Sequence, residues 1–266
     1  MKNSPDAVPV DDMAPVVVDG NVALITLTFP RRRNALCAQM RAQLRQRLEA
    51  LNAQASVRAI VLRGAEGHFC SGGDITEMRT RTVLEARQGF ELATSIARLI
   101  ATGPKPVVVA VEGVAVGAGL SIAALADYVI ATPDARFAAS FARMGLLADL
   151  GGMWGLVQRV GAAKARELLG LSRTLSGAEA LQIGLVNEVA EASQIESRAS
   201  DIAREYAAMP PMAMAFLRAA FARGMTAIDQ VTTAEMDLAT VLSCSEDHQE
   251  AVRAFVEKRE PKFHGR

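Results

Sequence analysis

Apolar residues along this chain fall into short β-branched blocks and longer stripes with helical spacing, and the two alternate as far as about residue 190. The clearest block is the run at 107–111, VVVAV, which predicts a buried strand. A turn at Glu112-Gly113 follows, then Val-Gly-Ala-Gly at 116–119, then an apolar helical pattern over 120–126. A strand at 59–62 runs in the same way through Gly64 into Phe69-Cys70-Ser71-Gly72-Gly73-Asp74-Ile75 and a helix. Upstream, 16–18 and 22–29 flank Asp19-Gly20-Asn21 and predict a β-hairpin. Residues 39–53 predict an amphipathic helix with Met40, Leu44, Leu48 and Leu51 on one face, and 81–101 another, with Phe90, Ala93, Ile96, Ala97 and Ile100 as its buried stripe. Short strands follow at 128–131 and 135–138, then helices at 150–160 and 162–169. Ser176 and Glu179 form a capping-box pattern that starts a helix at 178–183; Gly184 ends it, and 185–189 reads as a strand. From 192 onward only helices are predicted, at 192–208, 211–222, 226–243 and 246–258, with Pro210-Pro211 between the first two.

The pattern divides the chain into a polar, acidic, proline-containing tail at 1–15, expected to be disordered, a mixed α/β core at 16–191 and an all-helical region at 192–266. A glycine-rich turn between strand and helix brings backbone N–H groups to a helix N-terminus, where they lack intrahelical partners and the macrodipole is positive. Such a place suits a phosphate, a carboxylate or a developing oxyanion. Close packing alone is the other use of Gly117 and Gly119. The G-x-G-x-x-G spacing of dinucleotide sites is absent.

Composition narrows the function classes. Lys plus Arg and Asp plus Glu are both 29, so the net charge is zero, which argues against a dedicated nucleic-acid binder. Cys37, Cys70 and Cys244 are scattered without a CxxC, and the three histidines share no ligand spacing with them. Neither a metal site nor a disulfide framework is expected, and the chain fits a reducing, cytoplasmic compartment. No charge-free apolar run of about twenty residues occurs, so no membrane partner is expected.

The ordered motifs resemble the crotonase (enoyl-CoA hydratase/isomerase) superfamily. They are Arg33-Asn34-Ala35-Leu36, HFCSGGDI at 68–75, KPVVVAVEGVAVGAGLSIA at 105–123, Ala126-Asp127-Tyr128, MGLLADLGG at 144–152, the segment 174–189 and FVEKREPKF at 255–263. The resemblance covers nearly everything from about residue 16 to the end. It implies an α/β fold, a spiral of ββα turns followed by C-terminal helices that assemble a homotrimer or a dimer of trimers. Apolar helices around Met209, Met212, Met214 and Met225 suit such an interface, or an ordinary core.

The resemblance also implies a substrate, an acyl-CoA thioester, with no cofactor beyond that CoA. Gly73 and Ala118 would supply the two backbone N–H groups of an oxyanion hole. CoA binding falls to Arg33, Ala35, Leu36, Ser71, Gly73, Asp74 and Ile75, joined by Phe255 and Lys258 from a neighbouring subunit. Arginines in the basic loop 30–34 suit phosphates. Typical hydratases of the family use two glutamates, whose positions here are Ser121 and Phe141. The two-carboxylate hydration mechanism is thereby doubtful. Asp149, in Gly-Leu-Leu-Ala-Asp-Leu-Gly-Gly, is either the N-cap of the helix that follows or, as in the family's single-aspartate isomerases, the proton-transferring base. Leu146, Leu147, Trp154 and Phe141 are expected to desolvate it and raise its pKa.

The first expectation is therefore a Δ3-Δ2 enoyl-CoA isomerase with Asp149 as base. The others are a hydratase or other crotonase reaction with non-standard groups, and a non-catalytic acyl-CoA-binding subunit. Aspartate-nucleophile dehalogenation is disfavoured because 84–99 lacks the histidine those relatives use. Asp74 is expected to fix its own loop and Glu112 to be a surface turn residue.

Overall fold

The computed structural model describes residues 12–78, 82–224 and 227–266. Its strands are β1 (Val16–Asp19), β2 (Val22–Leu27), β3 (Ala59–Gly64), β4 (Val107–Val111), β5 (Val114–Val116), β6 (Tyr128–Ala131), β7 (Arg136–Ala138), β8 (Thr174–Ser176) and β9 (Glu188–Val189). Its helices are α1 (Ala38–Ala53), α2 (Val83–Thr102), α3 (Ala118–Leu125), α4 (Gly152–Leu171), α5 (Gly177–Gln182), α6 (Ile195–Ala207), α7 (Pro211–Arg223), α8 (Ile228–Ser243) and α9 (Glu246–Glu257).

The strands form two layers. One sheet has the order β1-β2-β3-β4-β6-β9, parallel except for the β1–β2 hairpin, and a small sheet has the order β5-β7-β8. Single parallel bridges, Leu36 to Gly73 and Cys70 to Ala115, continue the small layer back along the chain. Each ββα turn thus gives one strand to the large sheet and one strand or bridge to the small layer before its helix. This is the spiral expected from the motifs. The segment β5 was not expected as a strand: three residues between two glycine turns are too short to show a period.

Alternation along the parallel strands divides the core in two. Ile60, Leu62, Val107, Val109 and Val111 join α1, α2 and α3 in the main cluster. Ala59, Val61, Val108 and Ala110 face the other way and pack on Ile195, Ala199, Ile202, Ala203 and Ala207 of α6. A parallel sheet needs both faces covered. Helix α6, just past the expected boundary at residue 192, thus covers the outer face of the sheet.

Three further expectations change. Within the stretch 1–15 expected to be a disordered tail, Met13 and Ala14 are instead buried, and the Thr28 N–H donates to Met13 O at 2.9 Å. Residues 1–11 lie outside the described residues, as do Arg81 and Met225. Phe90 leaves the α2 stripe at 48% exposure, whereas Ala93, Ile96, Ala97 and Ile100 are buried as expected. The helix expected from residue 150 begins at Gly152, and Gly161, at φ 74, breaks it where two helices were expected to meet.

One buried ion pair fastens α7 to the core. Arg218 donates to Asp127 Oδ2, to Gly103 O at 2.8 Å and to Ile100 O. Asp127 Oδ2 also accepts the Val107 N–H at 2.7 Å, at the start of β4. The guanidinium is buried, which lowers its pKa to about 10, so it is still charged at neutral pH. Arg218→Met would leave Asp127 largely buried without its cation, and urea unfolding should show a loss of about 3 kcal/mol or more.

Candidate active site

Three successive chain segments are sewn together at the C-terminal ends of β3 and β4. Asn34, fully buried, is the stitch. Its Oδ1 accepts the Phe29 N–H at 2.8 Å, and its Nδ2 donates to Ala65 O at 2.9 Å and His68 O at 2.6 Å. The Ser71 N–H donates to Arg33 O and the Leu36 N–H to Gly72 O. On the other side, the Cys70 N–H donates to Val114 O and the Val116 N–H to Cys70 O. The loop with Gly73 is therefore held between the Arg33–Leu36 segment and β5. Leu36 and Cys70 engage its neighbours, and the Gly73 N–H has no acceptor among the described residues. The Cys70 thiol is fully buried and pushed up to about 12, so it is no nucleophile.

The second donor sits at the start of α3. Gly117, at φ 53, turns the chain into the helix and gives its own N–H to Ala138 O. Ala118 is the first helical residue, so its N–H has no intrahelical acceptor. The left-handed position belongs to Gly117, and Ala118 takes ordinary helical backbone. The two loops touch. A Cβ on Gly72, which has φ 101, would lie 2.9 Å from Val116 O and 3.7 Å from Ala118 N; a Cβ on Gly117 would lie 3.9 Å from Gly72 Cα. Side chains at these positions would push the loops apart.

Asp149 is in the segment that leads from β7 to α4, three residues before Gly152, which packs on Ser121 of α3. The N-cap of α4 is Gly151, with no side-chain cap, so Asp149 does not cap the helix. Its backbone oxygen accepts the Gly152 N–H at 2.9 Å. Its Oδ1 is buried without a hydrogen-bond partner. Burial raises its pKa; the positive charge of Arg41 and its own amide pull it back only in part. Leu150 and Gly151 are both left-handed, at φ 49 and φ 71. A buried leucine in that region is strained, and such strain is typical of segments that aim a functional side chain.

Of the apolar residues expected around Asp149, Phe141 is buried, while Leu146, Leu147 and Trp154 are exposed at 46%, 74% and 37%. Phe141 lies against the donor loop: a Cβ on Gly117 would meet its Cζ at 3.9 Å. Ser121 is buried with its Oγ unpartnered, packed on Gly152.

The expected binding residues divide by position. Ala35 and Leu36 are buried, whereas Arg33 and Ile75 are exposed next to the Gly73 loop. Ser71 Oγ donates to Arg32 O at 2.8 Å. Arg31, Arg32 and Arg33 are exposed, and Arg32 lies close enough to Asp74 for its charge to act on that carboxyl. Asp74 Oδ1 accepts both the N–H and the hydroxyl of Thr76. Burial acts to raise its pKa, but those bonds with Arg32 and Arg41 outweigh it and hold the carboxyl low. Phe255, 86% exposed, and Lys258 are on and just after α9, with no hydrogen bond or ion pair to the Gly73, Ala118 or Asp149 segments within this chain. Among the described residues no three His, Cys, Asp or Glu side chains cluster as metal ligands, and no helix is long and apolar enough to cross a membrane.

Two contributors were not expected. Asn34 was noted only as part of a motif. Arg41 lies on α1 and pairs with Glu77 at 3.3 Å, while the Glu77 carboxylate takes the Ala38 N–H at the start of α1. A cation directly after the core residue Met40 was the available signal.

The arrangement has close counterparts. A family model described as Enoyl-CoA hydratase/isomerase matches residues 18–266. The 1,2-epoxyphenylacetyl-CoA isomerase of Escherichia coli is 33% identical, over 94% of this chain and 97% of its own. The short-chain-enoyl-CoA hydratase of Clostridium acetobutylicum is 33% identical, over 91% of this chain and 93% of its own. The crystal structure of an enoyl-CoA hydratase from Polaromonas sp. JS666 superposes with a TM-score of 0.89 at 31% identity, over 94% of this chain and 99% of that one.

Asn34→Ala would leave the Phe29 N–H and the His68 carbonyl unpaired and take one of two donors from the Ala65 carbonyl. A loss of about 2–3 kcal/mol is expected in urea unfolding, since each buried group left unpaired costs on that order.

Proposed function

Because the chain belongs to the enoyl-CoA hydratase/isomerase family, whose spiral fold it shares with the crotonase-fold structures, we propose that it is a Δ3-Δ2 enoyl-CoA isomerase in which Asp149 alone moves the proton. Ionised Asp149 takes a proton from C2 of a 3-enoyl-CoA. The C–H electron pair forms the C1–C2 double bond of a dienolate, and the carbonyl pair moves onto the thioester oxygen. The N–H groups of Gly73 and Ala118 receive that charge, each worth about 2.7–4 kcal/mol in sites of this kind. Asp149 then returns the proton to C4: the C3–C4 double-bond pair forms the new C–H bond, the C1–C2 pair becomes the C2–C3 double bond, and the oxygen pair reforms the carbonyl. The shift consumes no redox equivalent and no water, so the CoA of the substrate is the only coenzyme needed. The exposed arginines at 31–33 supply charge for its phosphates.

The observation that carries the proposal is the unpartnered, buried Asp149 Oδ1 in a site where Ser121 and Phe141 occupy the positions of the hydratase glutamates. Phenylalanine can neither orient nor deprotonate water. The isomerase name of the Escherichia coli relative is in line with this. Hydration is the second reading. It is favoured by the buried, unpartnered Ser121 Oγ, which could hold a water, and by the hydratase names of other relatives. Assembly as a homotrimer or a dimer of trimers is part of the proposal: α8 buries no residue against the rest of the chain, and Ile228, Met236 and Val241 are 73%, 64% and 49% exposed.

A spectrophotometric assay of 3-enoyl-CoA and 2-enoyl-CoA side by side tests the reading. Conversion of the 3-enoyl thioester with little hydration is expected, with a fall of about 10³-fold or more in Asp149→Asn and retained CoA binding. Rapid hydration that survives the substitution would overturn it. Two effects of pH follow from the raised pKa of Asp149. The base must be ionised, so kcat/KM should fall as pH drops through a midpoint above the ordinary carboxylate value of about 4. Folding binds this proton more tightly than the unfolded chain does. Its stabilising contribution is full below the unfolded pKa and lost as pH rises through the folded one, so ionised Asp149 costs stability at neutral pH. Asp149→Asn should therefore melt no lower than the parent at neutral pH while losing turnover.

A further inference from the structure

The strands that lead to the two donor loops begin at the opposite pole of the sheet, and that pole has a cavity of its own. Arg58 immediately precedes β3, and Lys105 lies two residues before β4. With Tyr206 at the end of α6 and Met209, Met212 and Met214 around the start of α7, they line a space of about 140 Å³. Arg58 donates to Phe263 O in the C-terminal segment, a neutral acceptor. Lys105 has no hydrogen bond or ion pair among the described residues. No aspartate or glutamate lines the cavity. Burial and the neighbouring Arg58 both pull the ammonium below its ordinary range.

Two cationic residues thus border one small space whose lining holds no carboxylate; Arg58 also borders the neighbouring space that contains Asp19. Met212 and Met214, from the first turn of α7, put the positive end of a 13-residue helix into the same wall. Like charges in a partly desolvated place repel, and a bound anion would relieve them. Apart from Tyr206, the rest of the wall is methionine, proline and alanine, which accommodates alkyl carbon. A phosphate there would turn some of its oxygens towards apolar surface, at the cost of desolvation. The space is also well below the roughly 300–1,000 Å³ of ordinary ligand and cofactor sites.

We propose that this cavity binds a short aliphatic monocarboxylate, its carboxylate between Arg58 and Lys105 and its alkyl body against the three methionines. The site is separate from the cleft of Gly73, Ala118 and Asp149, and it stands whichever thioester reaction that cleft performs.

The test is thermal unfolding of the full chain titrated with sodium hexanoate, against sodium chloride at equal ionic strength and against inorganic phosphate. Hexanoate should raise Tm saturably, as a ligand of the folded state does. Lys105→Gln should weaken the apparent affinity about tenfold or more, a difference of about 1.4 kcal/mol. Ala215→Phe, which fills the cavity and keeps both cations, should abolish the response. Should one variant fail to fold, the other still decides. A hexanoate response equal to that of chloride, a response unchanged in a folded variant, or an equal saturable response to phosphate would each overturn the proposal.

Discussion

The site depends on how closely two backbones approach. An oxyanion hole made of main-chain N–H groups needs two loops from different turns of the spiral to aim at one point, and nothing in either loop can do that alone. Here the small layer brings two such loops together. Cys70 pairs with β5 through two backbone hydrogen bonds, and Leu36 pairs with Gly73. Each loop is therefore positioned as though it were a strand, with strand precision, although it is too short to be one. Gly72 and Gly117 remove the last obstacle, since a Cβ at Gly72 would stand 2.9 Å from Val116 O. Asn34 then ties the whole assembly to the hairpin end at Phe29.

That scaffold makes the acid–base chemistry separable from the oxyanion chemistry. Donors that are backbone groups survive most side-chain changes, so acids can be lost or gained around them. In this chain the cleft has Phe141 and Ser121 where carboxylates would give two acid–base groups, and Asp149 with an unpartnered oxygen. The surroundings of Asp149 combine burial with a strained neighbour, Leu150. Both are unfavourable for folding, and both leave a carboxylate available for a proton. Asp74 is the contrast. It is also buried, but Thr76 satisfies one of its oxygens and two arginines favour its charged form, which suits a residue that shapes a loop.

Much of this was legible in the sequence because it rests on patterns with a short range. The strands around Val61 and Val109, the capping box at Ser176, the end of α5 at Gly184 and the break between helices near Gly161 each announce themselves within a few residues. The two glycine loops were legible as a pair for the same reason. What was hidden is non-local. The strand β5 exists only because Cys70 and β7 lie on either side of it. Helix α6 belongs to the core only because the outer face of the parallel sheet needs a cover, and its own sequence resembles that of the helices after it. The exposure of Leu147 and the ion pair of Arg41 with Glu77 depend on where loops go, which hydrophobic periodicity does not encode.

The division of labour explains why relatives at about one third identity carry both hydratase and isomerase names. What they must share to stabilise a thioester enolate is backbone placement, and backbone placement is carried by glycines, by one buried amide and by strand pairing. What decides the fate of the enolate is the number of carboxylates within reach and whether a water can be held beside them. Those are side-chain properties at a few positions, and they can change without disturbing a single main-chain hydrogen bond. A phenylalanine at 141 is such a change. It fills space against the Gly117 turn, as any bulky apolar group could, and it removes one proton carrier from the cleft. On the reading proposed above, the proton has one carboxylate to travel on, and a shift from one carbon to another on the same face of the substrate is the simplest reaction that a single carrier can complete.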